Sequence, residues 1–324
     1  MFSVTNARGF VNQQEQFEDR EMKGEDISAY KIVSPGEFAY NPARINVGSI
    51  ARYNGDKDCM ISSLYVCFKA KKELVDSQLL LHILKSPKMV YNYGVNGEGG
   101  VRIYLFYPNF ARIRVKLPSL DEQRTIASFL DLIEERIQVQ NKVIERYQSL
   151  IRAITHAFFY SKRDYPIIPL SELAPNIASG KSKPALGPFP LYGSTGIIGT
   201  CALGTYKGEM ILVARVGSIG QIQLINSRGC GITDNTLIVN SGDLNQYVYF
   251  FLKSFDFQKI TSGTTQPLIT GSSLKSINVP VLPSQERVSF IKSLAEIEQR
   301  ITLEQTILQC YLKTKSFFLS NIFV

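Results

Sequence analysis

The chain of 324 residues is poor in the side chains that do chemistry. It holds two histidines and five cysteines, with no CxxC pair and no histidine at ligand spacing from a cysteine. That excludes the common zinc patterns, and Cys59, Cys67, Cys201, Cys230 and Cys310 read as free thiols. His82 and His156 fall on separate predicted helices and read as core or surface residues. No apolar run approaches the roughly 18 residues of a membrane span. The opening MFSVTNARGF is too polar for an export signal, so a cytoplasmic chain without membrane contact is expected. SGKS (Ser179–Ser182) has the tail of a phosphate loop, but Pro175 stands where its first glycine belongs. GSTGIIG (Gly193–Gly199) and GSIG (Gly217–Gly220) have no following helix and read as turns. NPAR (Asn41–Arg44) lacks the aromatic ending of an amino-methyltransferase motif. With no catalytic constellation, a binding protein is expected rather than an enzyme.

What the chain does have, it has twice. Pro118–Phe159 and Pro280–Phe323 each open on a proline turn with a Gln-plus-charge cluster and continue as a long amphipathic pattern. A repeat of this kind decides the architecture. The first stripe runs Ile126, Leu130, Ile133, Ile137, then Gln140, then Ile144, Tyr147, Ile151, Ile154 and Phe158. The second runs Phe290, Leu294, Ile297, Ile301, then Glu304, then Leu308, Tyr311, Lys315, Phe318 and Ile322. Steps of four and three alternate, the period of a coiled-coil seam, and a matching polar seam residue fixes register at some cost in stability. Helices of about 33 residues would be roughly 50 Å long. Either each stripe packs on its own globular domain or the two bury each other. The matched seams favour the second, with the helices antiparallel.

The repeat extends into the globular parts. PGEFAYNPARINVGSIARY (Pro35–Tyr53) is similar to KGEMILVARVGSIGQI (Lys207–Ile222), with Arg44 and Arg215 at similar places. Short runs of Val, Ile, Tyr and Phe broken by Gly, Asn, Asp and Pro predict strands, with short helices near Gln78–Ser86 and Asn245–Ser254. The expected fold is α+β: a first domain at 1–117, a spacer helix at 118–162, a second domain at 163–279 and a second spacer helix at 280–324. The first domain looks short at its start.

The formal charge is +8. Residues 1–117 carry 16 Lys/Arg against 12 Asp/Glu and residues 166–283 carry 8 against 5, whereas 118–165 carry 7 against 7 and 284–324 carry 5 against 4. The excess sits mostly on the globular domains, which points weakly to a polyanionic partner.

LPSLDEQRTIASFL (Leu117–Leu130), followed by a long helix ending in FF, resembles the conserved region of type I restriction-modification specificity subunits. VPVLPSQERVSFI (Val279–Ile291) resembles a degenerate copy, with Ser284 in place of the Glu of EQ and Gln285 retained. FPLYGSTGIIGT (Phe189–Thr200), LVARVGSIG (Leu212–Gly220) and TDNTLIV (Thr233–Val239) together resemble a target recognition domain. YKIVSPGEFAYNPARINVGSIA (Tyr30–Ala51) resembles one of another subgroup. The resemblance implies a subunit without chemistry of its own, each domain reading one half of a split DNA target and the helices setting the spacing. It further implies double-stranded DNA, methyltransferase subunits and restriction subunits as partners. S-adenosylmethionine, ATP and magnesium would belong to those partners, not to this chain. Self-association could complete the short first domain. The rival from another class is a non-catalytic scaffold that dimerises through its long helices and binds protein with its β-rich domains.

Anchoring to phosphates needs Lys, Arg or backbone N–H groups, and reading needs polar side chains at base edges. The candidates in the second domain are Lys181 and Lys183, Ser194 and Thr195, Arg215 and Ser218, and Thr264, Thr265 and Gln266. In the first domain they are Arg44, Ser49, Arg52 and Arg102. The candidate helix-pair interface is Ile133, Ile137, Gln140, Ile144 and Tyr147 against Ile297, Ile301, Glu304, Leu308 and Tyr311.

Overall fold

The computed structural model describes the chain except residues 7, 13–26, 101–102, 161–163, 264–266 and 322–324. It forms two compact units, Met1–Lys142 with Gln305–Val324, and Val143–Glu304. The long helices are therefore not separate bodies; each contributes one part to each unit.

Unit 1 contains β1 (Phe2–Thr5), β2 (Gly9–Asn12), β3 (Lys31–Val33), β4 (Phe38–Tyr40), β5 (Ile50–Arg52), β6 (Cys59–Ile61) and β7 (Val66–Phe68). These make one sheet in the order β2-β1-β6-β3 and another in the order β5-β4-β7. Three short helices follow, α1 (Ser77–Leu84), α2 (Pro87–Asn96) and α3 (Tyr107–Phe110), and then the long α4 (Leu120–Phe159). Asp76 and Ser86 cap α1 and α2 by accepting backbone N–H bonds, as short polar residues do at helix starts.

Unit 2 contains β8 (Ile167–Pro169), α5 (Leu170–Leu173), β9 (Ala178–Ser179), β10 (Phe189–Gly193), β11 (Gly196–Cys201), β12 (Tyr206–Ala214), β13 (Ile222–Ile232) and β14 (Thr236–Val239). After them come α6 (Asn245–Ser254), α7 (Gly271–Lys275), β15 (Asn278–Pro280) and the second long helix, α8 (Ser284–Asn321). The main sheet has the order β11-β10-β13-β12-β14-β9, and β15 pairs with β8. Strand β13 serves two neighbours, running antiparallel to β12 and parallel to β10.

The units share a plan. A hairpin (β1–β2, β10–β11) adds its first strand in parallel to β6 or β13. The central strand (β4, β12) has antiparallel neighbours on both sides. From the bridge Glu98↔Tyr104 onward the correspondence has a constant offset of 164 residues, since the second bridge is Ser262↔Leu268. Gly99 and Gly263 both take a left-handed φ, 108° and 92°, a conformation that favours glycine. Helix α3 begins at Tyr107 and α7 at Gly271, and the bonds Ile113 N→Phe110 O and Ile277 N→Leu274 O repeat one another.

Within each unit the long helices pack against one another and run in opposite directions. In unit 1 the Phe129 and Phe318 rings meet edge to face at 4.8 Å, and one and a half turns along α4 Glu134 pairs with Lys315. The charged seam position Lys315 is thereby accounted for. In unit 2 Phe158 meets Phe290 at 4.8 Å, with Phe159 beside it, and Ile297 and Ile301 pack on the same core. Ile133, Ile137, Gln140 and Ile144 are buried, as is Glu304, whose carboxylate takes Arg300 Nε at 2.8 Å. Tyr147, Ile297, Ile301, Leu308 and Tyr311 are half-buried. At the helix ends the buried face widens to Ala127, Thr155, Phe159 and Leu319, because there the helices also meet the globular cores. The expected 33 residues become 40 and 38, roughly 60 Å, since the helices start directly after the proline turns.

The start of α4 is locked by hydrogen bonds from both Glu122 and Gln123. Glu122 accepts from Ser119 N and Oγ at 3.0 and 2.7 Å, the reach-back of a capping box. Gln123 is buried; its amide donates to the Leu74 and Pro118 carbonyls, and its oxygen accepts from Asp76 N at 2.9 Å. In the second copy Arg287 N→Pro283 O repeats Gln123 N→Ser119 O, so Arg287 stands in place of Gln123. The expected Gln285 equivalence is shifted by two residues. Glu286 answers Glu122, and the Glu of the motif is kept.

Burial pushes the thiols of Cys59, Cys67 and Cys230 up, which keeps them protonated and unreactive, and all five cysteines are free. No described helix is long and apolar enough to cross a membrane.

Gln123→Leu leaves buried partners unsatisfied and is expected to cost about 2–4 kcal/mol in denaturant unfolding. Arg287→Leu removes one 3.4 Å bond to Leu282 O and should cost less than about 1 kcal/mol. Ile137→Asp places a charge in the helix seam, and a drop in melting temperature of several degrees is expected.

Candidate nucleic-acid interface

In unit 2 the strand ends bring four loops together. The β10–β11 turn carries Ser194, whose hydroxyl donates to Val216 O at 3.0 Å and Asn235 O at 3.3 Å. Arg215, at the end of β12, donates its N–H to Asn235 O at 3.0 Å. Its carbonyl accepts from Ile269 N at 3.0 Å, tying in the segment next to the Ser262↔Leu268 bridge. Thr233 N donates to Tyr192 O at 3.0 Å, closing the β13–β14 turn onto β10. A fifth segment joins through Gly180 N→Thr236 O at 3.0 Å. A Cβ on Gly180 would lie 2.3 Å from Ile232 O, so only glycine allows this approach.

The joined loops carry buried polar atoms without partners among the described residues: Arg215 Nε, Thr233 Oγ1 and Thr236 Oγ1. A buried guanidinium N–H left unpaired is costly, and each such group in a folded protein calls for an explanation. Thr195 and Ser218 are exposed on the same turns. An arginine fork beside hydroxyls and backbone N–H groups is suited to phosphate or to the acceptor edge of guanine.

Lys181 and Lys183 belong to a neighbouring surface. They line a cavity of about 270 Å³ with Cys201, Leu203 and Tyr206, and Lys181 N donates to the Tyr206 hydroxyl at 3.1 Å. Thr264, Thr265 and Gln266 lie outside the described residues, as does Arg102. The constant offset places Arg102 and Gln266 at equivalent sequence positions.

Unit 1 is arranged differently. Leu105 N donates to Pro42 O as Ile269 N donates to Arg215 O, so Pro42 holds the place of Arg215. Arg44 lies two residues further on, exposed, at the start of a 3-10 turn. The two arginines are therefore alike in sequence but not in position. Ser49 is 4 % exposed and its hydroxyl donates to Val4 O at 2.9 Å. That is a joint between strands and cannot reach a base edge. Arg52 donates Nε to Asn54 Oδ1 at 2.9 Å. It lines a cavity of about 720 Å³ in which Lys85 and Lys315 face Asp131 and Glu134. There His82 Nε2 and Gln78 Nε2 lie 2.8 and 2.7 Å from Asp131 Oδ1, which makes His82 a fold contact. Sequence reasoning missed Thr233, Asn235 and Thr236 as parts of the loop joint, although the string TDNT marks them as a polar turn between two apolar strands.

The family described as the type I restriction modification DNA specificity domain matches residues 3–146 and 156–310. The chain belongs to that family. A curated protein of Methanocaldococcus jannaschii, named as the type I restriction enzyme MjaX specificity subunit, is 21% identical over 330 aligned residues. The alignment covers 88% of this chain and 76% of that protein. The S subunit of a type I restriction-modification system from M. genitalium shares the fold with a TM-score of 0.63 at 18% identity. That match covers 91% of this chain and 84% of the other. A chain from a structure of the type I R-M system matches with a TM-score of 0.56 at 17% identity, covering 90% and 82%. Each unit buries its helix stripes within one chain, so the scaffold reading, which needs them for a second chain, is not favoured.

Ser194→Ala removes both bonds that tie the hairpin to Val216 and Asn235. It should lower stability by about 1–2 kcal/mol and raise hydrogen exchange at Asn235 and Val216.

Proposed function

We propose that this specificity subunit reads a split DNA target, one half with each unit, and that Arg215 is the anchor of the unit 2 reader. The observation that carries the assignment is the buried Arg215 Nε, without a partner among the described residues, at the point where four loops are tied together. In this reading Thr195 and Ser218 flank the contact, Lys181 and Lys183 hold phosphates beside it, and Arg44 and Arg52 serve unit 1. Thr264, Thr265, Gln266 and Arg102 are proposed as further DNA contacts. The long helices set the spacing between half-sites and carry the methyltransferase subunits, with restriction subunits joining them in the cytoplasm. The chain performs no catalysis; S-adenosylmethionine, ATP and magnesium serve the partner subunits.

The test is Arg215→Ala in the assembled complex. A base contact predicts a loss of about 1–3 kcal/mol with relaxed specificity at one position of the target. A phosphate contact predicts a uniform loss and a salt slope smaller by about one. Unchanged affinity across a salt series would remove Arg215 from the interface. Methylome sequencing of cells expressing the chain with its methyltransferase should show a two-part modified motif; a single unsplit half-site would mean that one unit does not read.

A further inference from the structure

The turn at residues 233–236, which joins β13 to β14, has a counterpart in unit 1. Thr236 N donates to Thr233 O at 3.2 Å, and Tyr65 N donates to Ser62 O at 3.1 Å. The strands beside the turns fix the count. Val239 lies opposite Ile211, and Phe68 lies opposite Phe38. Ile211 stands four residues before Arg215, and Phe38 four before Pro42, which holds the same place. Counting back four from Val239 and from Phe68 gives Asn235 and Leu64, so these two occupy one position of the shared plan.

In unit 2 the backbone at this position is held on every side. Asn235 O accepts from Arg215 N at 3.0 Å and from Ser194 Oγ at 3.3 Å. On either side of it, Thr233 N donates to Tyr192 O and Thr236 O accepts from Gly180 N, both at 3.0 Å. The Asn235 side chain itself is exposed and makes no hydrogen bond among the described residues. Turn chemistry does not account for it, because an asparagine that serves its own turn bonds the backbone two residues on. Its counterpart Leu64 is 75 % exposed on a turn that is also held. There Tyr65 is buried, its hydroxyl accepts from Val4 N at 3.2 Å and its carbonyl from Lys31 Nζ at 2.5 Å. Leucine is not a turn former and gains nothing by standing in water. One rigid position therefore presents a free amide in one unit and a bare aliphatic side chain in the other.

We infer that this position is a base reader in both units, Asn235 binding an adenine in one half-site and Leu64 a thymine methyl in the other. The inference rests on the split-target reading proposed above and names a base in each half. A side-chain amide accepts from one atom and donates to its neighbour, which matches N6 and N7 of adenine in the major groove. Leucine offers no polar atom and fits the apolar feature of that groove, the C5 methyl of thymine. Asp234 is exposed next to Asn235 and repels phosphate, so the turn faces base edges rather than the sugar-phosphate backbone. The fixed backbone means that little ordering entropy is lost on contact.

The test uses the complex assembled with its methyltransferase subunits, on the target given by methylome sequencing. Asn235→Ala and Leu64→Ala should each relax one position of the target, and the two positions should lie in different halves. Preference for the A·T pair read by Asn235 should fall about 5- to 150-fold. Base analogues then identify the atoms. Replacing that adenine by 7-deazaadenine should weaken the wild type about 2- to 12-fold, one hydrogen bond, and leave Asn235→Ala unaffected. Replacing the thymine in the other half by uracil should weaken the wild type about fourfold, one methyl, and leave Leu64→Ala unaffected. Both variants should melt with the wild type, since neither side chain holds the fold. A two-part target read identically by the wild type and both variants would overturn this inference and leave the split-target reading standing. So would a uniform loss across sequences, which would assign the turn to the phosphates. A single unsplit target would overturn the split-target reading and this inference with it.

Discussion

Two helices of 40 and 38 residues cannot stand in water with an apolar stripe along their length, and burial of that stripe is the constraint on which the rest depends. Each unit meets it locally. Phe129 on Phe318 and Phe158 on Phe290 are the ring contacts, and Glu134 with Lys315 turns an awkward charged seam position into a pair. The globular cores then grow on the helix ends. Leu130 and Ala127 join the aromatic cluster of Tyr40, Phe68, Tyr93 and Phe110, while Phe159 and Phe290 join Tyr247 and Phe251. A helix that belongs to two cores needs firm starting points, which explains why a buried glutamine with three hydrogen bonds sits at the first turn of α4.

The helices and their register were legible because burial leaves a period in the sequence. Ile133, Ile137 and Ile144 are where the alternation of three and four puts them. The exchange of Gln123 for Arg287 was not legible. The local string PSQER offers a glutamine two residues away, and only the hydrogen-bond ladder from Pro283 fixes the count. The strands were legible as short β-rich runs, but their order was not. Pairing β1 with β6 and β10 with β13 in parallel joins residues far apart in the chain and leaves no local pattern.

Site residues were the least legible. A serine in Gly-Ser-Ile looks like a turn donor in both copies, yet Ser49 is inside the fold and Ser218 is on the surface. What decides is the length of the preceding strand: β12 has nine residues and β4 three, so the chain leaves the sheet at different points. The same difference moves Arg44 two places from the position of Arg215. The two units thus share a scaffold from the central strand onward and differ in the loops the scaffold presents, as expected of modules that recognise different things on one plan.

Among the described residues nothing pairs with the backbone of Arg114–Leu117, and unpaired extended backbone invites copies of itself. An antiparallel pairing of two such segments centred on Val115 would set Arg114 against Lys116 twice over. Like charges directly opposite one another repel. The alternation of cation, valine and cation therefore gives this segment a built-in refusal of its own kind. Two side chains keep an exposed valine from joining one copy of the chain to the next.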